Sequence, residues 1–245
     1  MSSMRRVMDS VRRIGIQTNA SCGFHVHVDA EQDKSQIASL ESLKNIAQWF
    51  VSLENAFDLL VALSWEEPQE RDNHRSRRGN NNEYCKSNRL AFGERSNRQR
   101  WQCISSVQSK CELVNWMNPS GDRYRKVNMT NIIKQERPST IEFRLHGGVQ
   151  DVQQAEAWVR LLLLFCKNAA LGRNPCRSMP EGSSAEQELF ALFELLDCDG
   201  LEQFFTIEKR LFAKDRLVQE WNCDFCQRVF HSSRSLSQHN EAYGH

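Results

Sequence analysis

Phe24-His25-Val26-His27-Val28-Asp29 alternates apolar and polar residues without a break. That is the period of a β-strand with one face in a core and the other turned outward. Phe24, Val26 and Val28 point one way, and His25, His27 and Asp29 the other, with same-side neighbours about 7 Å apart. A second stretch answers it: in Thr140-Ile141-Glu142-Phe143-Arg144-Leu145-His146, Ile141, Phe143 and Leu145 alternate with Glu142, Arg144 and His146. Two strands each carrying ionisable residues on one face predict a sheet with an apolar side and a chemical side.

The apolar side needs a cover. Ile37, Leu40, Leu43, Ile46, Ala47, Phe50, Leu53, Ala56, Phe57, Leu60 and Val61 recur at spacings of three and four, which predicts one long amphipathic helix over 36–63. Asp151 reads as an N-cap, and 152–171 as a buried helix closed by Gly172. Met1 to Gly15 reads as an amphipathic helix, and two shorter helices are expected over about 185–197 and 200–213. Trp101 to Trp116 leaves strand and short helix both open. Between Glu66 and Arg100 the composition turns to arginine, asparagine and charge, with little periodicity. Surface loop, nucleic-acid patch and phosphate-holding loop all remain readings of it, although its interleaved acids dilute any field toward nucleic acid.

Composition narrows the classes. The chain has 245 residues with 32 Lys and Arg against 31 Asp and Glu, a formal net charge of +1, so no global field draws it to nucleic acid or anionic lipid. Its nine cysteines are odd in number and scattered, apart from one close pair, a pattern of buried thiols in a reducing compartment. The most apolar run, Leu161 to Phe165, is far below the ~20 residues that span a bilayer. An intracellular protein, cytoplasmic or nuclear, with no membrane partner is expected.

The close pair opens a metal motif. Cys223-x2-Cys226-x12-His239-x5-His245 has thiolates on a knuckle and imidazoles one to two helical turns apart, able to close a tetrahedron around Zn²⁺. Phe230 and Leu236 supply the small core, and Trp221 precedes the first cysteine. The stretch resembles a ββα C2H2 zinc finger over 221–245. The positions that would face bases are Ser232, Ser235 and Gln238, without the arginine fork that reads guanine. A structural or protein-contact finger is expected rather than sequence-specific DNA binding.

Considered on its residues alone, a His-x-His strand face is most often a solvated or hydrogen-bonded pair and less often a metal or phosphate site, and a neighbouring strand with Glu142 and Arg144 adds weight to the second while leaving both open. Asn19-Ala20-Ser21-Cys22-Gly23-Phe24-His25-Val26-His27 and Ile141-Glu142-Phe143-Arg144 resemble the ligand strands of glutamine synthetases. Closer still is the resemblance to the amidoligase family of glutamine-synthetase-like carboxylate–amine ligases. It rests on Cys22-Gly23-Phe24-His25-Val26-His27, on Ser76-Arg77-Arg78 to Tyr84-Cys85, and on Tyr124-x-x-Val127-Asn128 leading to Thr140-Ile141-Glu142-Phe143-Arg144.

The resemblance implies an α+β fold: an antiparallel glutamine-synthetase-like sheet with helices on one face, spanning 1–172, then linker and flanking helices over 173–220 and the finger over 221–245. It implies ATP-dependent amide-bond formation through an acyl phosphate, from a small-molecule or peptide carboxylate and an amine. His25 and Glu142 would ligate Mg²⁺ or Mn²⁺, His27 would contact ATP phosphate, and Arg144, Arg77, Arg78 and Arg125 would neutralise phosphate or carboxylate. A Glu-x-Glu strand precedes the histidine strand in such folds, and the 18 residues before Asn19 hold none. The expectation is therefore an N-terminally truncated ligase. Its alternative is a catalytically dead scaffold whose zinc finger binds a protein or nucleic acid.

Overall fold

The computed structural model describes residues 2–16, 18, 22–30, 39–62, 83–134, 136–149, 151–172 and 179–197, together with 221–222 and 229–230. The chain divides into two compact units, Met1–Phe204 and Phe205–His245. Among the described residues the first unit is mixed α/β, with seven helices around a small antiparallel sheet of order β1-β3-β2.

Strands β1 (Gly23–Asp29) and β3 (Thr140–Gly147) pair where the alternation places them, with His27 opposite Glu142 and Val28 opposite Ile141. The short β2 (Val127–Asn128) lies on the other side of β3, with Asn128 opposite Glu142. Val26, Val28, Ile141, Phe143 and Leu145 are buried. The ladder is not regular throughout: Phe24 pairs with His146 but Val26 with Phe143, so β3 carries one extra residue opposite His25. This bulge overturns one expectation. Strict alternation puts His146 beside Glu142 and Arg144; the extra residue turns it to the core face, where it is buried and packs edge-on to Phe24 and against Trp158 at 5.1 Å.

The helix expected over 36–63 is two helices, α2 (Leu40–Ser52) and α3 (Glu54–Ala62), broken at Leu53. The break is stabilised by hydrogen bonds to carbonyls that an uninterrupted helix would keep for itself. Arg89 donates from Nε to the Val51 carbonyl and from Nη2 to the Ser52 carbonyl at 2.6 Å. The apolar stripe survives the break, because Phe50 and Phe57 remain 5.1 Å apart and close over Phe143 and Phe165.

Trp101 to Trp116 resolves into helix: α4 (Asn97–Ser106) starts in a reciprocal capping box between Ser96 and Gln99, and α5 (Lys110–Met117) starts at Ser109. α6 (Val152–Ala170) begins at the Asp151 cap and ends before Gly172, whose φ of +66° suits glycine. Its Phe165 and Trp158 lie in the aromatic core with Phe57. α7 (Ala185–Leu196) packs on α3 and α6, and α1 (Ser2–Arg13) is tied to α6 by Arg5, whose fork grips Glu156 at 2.7 and 2.6 Å. Gly148 lets the entry to β1 pass closely: a Cβ there would stand 2.7 Å from the Cys22 Cβ.

In the second unit, β4 (Trp221–Asn222) pairs antiparallel with β5 (Val229–Phe230), Trp221 opposite Phe230. Cys223, Cys226, His239 and His245, the helix expected over 200–213, and Arg77 and Arg78 lie outside the described residues. Among the described residues no helix is long and apolar enough to cross a membrane.

Candidate functional site

Helices cover the apolar face of the sheet, so the polar face is where side chains converge. Glu142 stands at its centre, and the register explains why: it is opposite His27 on one side and Asn128 on the other. Asn128 Nδ2 donates to Glu142 Oε2 at 2.8 Å. Oε1 faces the other three: Arg144 Nη1 donates at 2.6 Å, His25 Nδ1 lies at 3.1 Å and His27 Nε2 at 3.7 Å. Glu142 itself is buried, but the His25 side chain is 31% and that of His27 46% exposed, so ligands can reach the cluster.

Burial alone would raise the Glu142 pKa. The His25 and Asn128 hydrogen bonds and the charges of Arg144 and His27 outweigh it and hold the carboxyl at about 2. Glu142 is therefore an anion at any physiological pH. His27 is oriented from behind, its Nδ1 3.1 Å from Thr140 Oγ1, which Asn131 also reaches at 3.3 Å. Asn128 is held by its own backbone neighbourhood, Oδ1 accepting from the Thr130 N–H at 3.0 Å.

Arg144 leads outward. Its guanidinium carbon sits 5.5 Å from the centroid of the Tyr124 ring, and Tyr124 meets Tyr84 edge-to-face at 6.4 Å. Arg123 Nη2 donates to the Tyr124 hydroxyl at 3.0 Å, and that bond lowers the phenol pKa.

The structure thus brings together His25, His27, Glu142 and Arg144. It places Arg125 apart from them: Nη1 donates to the Ser87 carbonyl at 2.5 Å, its main chain bridges Lys86, and burial lowers its pKa. Asn128 and Thr140 are the site residues that sequence reasoning did not single out. Asn128 stands in the Tyr124-x-x-Val127-Asn128 motif, so its signal was present. Thr140 likewise heads the Thr140-Ile141-Glu142-Phe143-Arg144 motif, which left its contact to His27 unannounced.

Among the described residues, no group of three or more His, Cys, Asp or Glu side chains stands ready to hold a metal by itself. Mg²⁺, however, is commonly held by one or two carboxylates and completes its octahedron with water and phosphate oxygens. Glu142 with His25 is a donor pair that fits such a partial site. Arg144 already occupies Oε1 and must share or yield it.

Compared with protein families, residues 1–166 match the model of a family described as "Putative amidoligase enzyme". No curated protein and no solved structure matches the chain.

Proposed function

The chain belongs to the amidoligase family, and on that premise we propose that it is an ATP-dependent carboxylate–amine ligase working at the polar face of the sheet. The observation that carries the reading is the Glu142 carboxylate, held at once by His25, His27, Arg144 and Asn128 on the face opposite the helices. A fixed anion ringed by donors that reach solvent is a preorganised electrostatic site, the chief requirement of phosphoryl transfer.

In the proposed reaction a substrate carboxylate oxygen attacks the γ-phosphorus of ATP and ADP leaves. The amine then attacks the acyl-phosphate carbon, phosphate departs, and the amine proton passes to solvent. Glu142 and His25 would hold a Mg²⁺ or Mn²⁺ ion, whose contribution when bound is to neutralise phosphate charge. His27, fixed by Thr140, donates toward a phosphate oxygen. Arg144 presents a guanidinium to phosphate or carboxylate, and Arg77 and Arg78, which share the family motif, are assigned the same role. The sheet and its helical cover are proposed to be glutamine-synthetase-like. The C-terminal unit is proposed to be a Zn²⁺ module: Cys223 and Cys226 fall in sequence between β4 and β5, which pair antiparallel.

The test uses hydroxylamine as the amine, since it traps an acyl phosphate as a coloured hydroxamate. The full chain, with ATP, Mg²⁺ and a panel of amino-acid and dipeptide carboxylates, is expected to release ADP and form hydroxamate, and Glu142→Gln to form at least about 10²-fold less. Absence of both products in the parent across the panel overturns the ligase reading. The scaffold reading then stands instead, favoured by the single carboxylate that the described residues place at the centre of the cluster.

A further inference from the structure

Beside the Glu142 cluster, one guanidinium away, two aromatic rings stand in solvent. Tyr84 is 58% and Tyr124 37% exposed, and they are two of only three tyrosines in the chain. They are separated by 40 positions in sequence, yet meet edge-to-face at 6.4 Å. Isolated exposed apolar residues need no explanation, but paired rings adjoining a polar cluster mark a place where a ligand exchanges water for a π-surface.

The ledge selects its occupant by charge. Arg144 and Arg123 lie 5.5 and 5.0 Å from the Tyr124 centroid, so the cation–π capacity of that ring is already used and an incoming ammonium would meet two positive charges. An anionic ligand meets the opposite field. A group that reaches Tyr84 and Tyr124 from the cluster passes Arg144, which points to a planar ring joined to an anion. Stacking on tyrosine and guanidinium planes is how proteins hold nucleobases without reading their edges.

We propose that the Tyr84–Tyr124 ledge seats the base of the nucleoside triphosphate whose phosphates lie at Arg144 and the Glu142 cluster. This rests on the ligase reading and adds to it a binding subsite with stated residues. Tyr124, through its contacts with Arg144 and Tyr84, links base and phosphate positions. Tyr84, the more exposed ring, offers the stacking surface, and its exposure makes it the cleaner residue to change.

The experiment measures affinity of the full chain by titration calorimetry for two probes in Mg²⁺, ATP and inorganic triphosphate, which share phosphates and differ in the base. The parent is expected to bind ATP about ten-fold or more tighter than triphosphate, the range of one stacked base. Tyr84→Ala is expected to abolish that preference while leaving triphosphate affinity unchanged, and Tyr84→Phe to keep it. Equal affinities in the parent, or a Tyr84→Ala variant that retains the preference, overturn the ledge while triphosphate binding leaves the ligase reading standing. If neither probe binds the parent, both fall. If the preference is absent and an aromatic carboxylate instead binds in a Tyr84-dependent way, the ledge belongs to the acid substrate and the proposal is wrong.

Discussion

Two ionic clusters flank β2 and are built from the same chemistry, yet they differ in what surrounds them. At Asn128 the chain serves the polar face, where Glu142 gathers His25, His27 and Arg144. Two residues earlier Lys126 serves the interior: Nζ lies 2.9 Å from Glu54 Oε1 and 2.6 Å from Asp58 Oδ2, both on α3. The side chains of Lys126 and Glu54 are only 2% and 3% exposed, with Asp58 at the rim at 22%. The inner cluster is closed by the fold, with the Arg89 N–H donating to Glu54 as well. Around Glu142 the imidazoles remain accessible. Ion pairs that nothing can enter hold helices to strands; ion pairs with a wet edge can exchange a partner for a ligand.

The sharpest way to break this contrast is to remove the inner cation. Lys126→Ala leaves the buried Glu54 and the part-buried Asp58 without their ammonium, a loss of about 3–5 kcal/mol for a buried pair broken on one side. Urea unfolding should show the midpoint collapse. The triple change Lys126→Met, Glu54→Gln and Asp58→Asn should recover much of it, since the charges go together. A Lys126→Ala protein as stable as the parent would place the cluster in solvent and end the comparison.

Removing the outer anion should do the reverse. Glu142→Gln is expected to lower the unfolding midpoint by less than Lys126→Ala does, since water reaches the imidazoles that lose their partner, while cutting hydroxamate formation at least about 10²- to 10³-fold, the scale of a lost electrostatic contact in phosphoryl and acyl transfer. A variant that unfolds like Lys126→Ala, or one that turns over unchanged, would remove the distinction between the clusters.

Much of the outer cluster was legible because it lies on two alternating strands, where period two fixes which side chains share a face. The inner cluster was not. In sequence Lys126 closes a basic run, Arg123-Tyr124-Arg125-Lys126, from which only Arg125 is assigned to an anion. The fold distributes that run three ways: Arg123 to the Tyr124 hydroxyl, Arg125 to the Ser87 carbonyl and Lys126 to α3. No local period announces such a split, since the partners Glu54 and Asp58 are 72 and 68 positions away. The same limit hid the break at Leu53, because the helical stripe continues through it and the residue that caps it is Arg89. His146 was misplaced because a bulge depends on register against another strand, which alternation within one strand cannot reveal.

The two clusters should also titrate with opposite signs. Glu142, at about 2 folded against an ordinary 4.5, contributes stability above pH 4.5 that is lost as pH falls toward 2. Asp58 goes the other way. Burial, then its neighbour Glu54, raise it against the opposing pull of Lys126, to about 7 from 3.8. The folded chain holds a proton there that the unfolded chain releases, so stability falls as pH rises from about 4 to 7. Each contributes at most about 1.4 kcal/mol per pH unit, one proton's worth. Unfolding measured from pH 3 to 8 should rise and then fall, with Glu142→Gln flattening the acid limb and Asp58→Asn the neutral one.

The smallest effect tests how much the open cluster depends on any single contact. Thr140→Val preserves the shape of the residue at the head of β3 but deletes the hydroxyl that His27 Nδ1 and Asn131 Nδ2 share. The His27 side chain is nearly half exposed, so water replaces the lost partner, and the cost should stay below about 1 kcal/mol. What should change is the imidazole itself: without a fixed neighbour at Nδ1, its tautomer and ring orientation are no longer set. NMR of the His27 ring nitrogens is expected to show a mixed tautomer in Thr140→Val where the parent shows one. ATP affinity should weaken more than stability does, because an imidazole that rotates no longer presents Nε2 to a phosphate oxygen. A variant destabilised as much as Lys126→Ala would mean that the outer cluster is as closed as the inner one, with its hydrogen bonds serving the fold first.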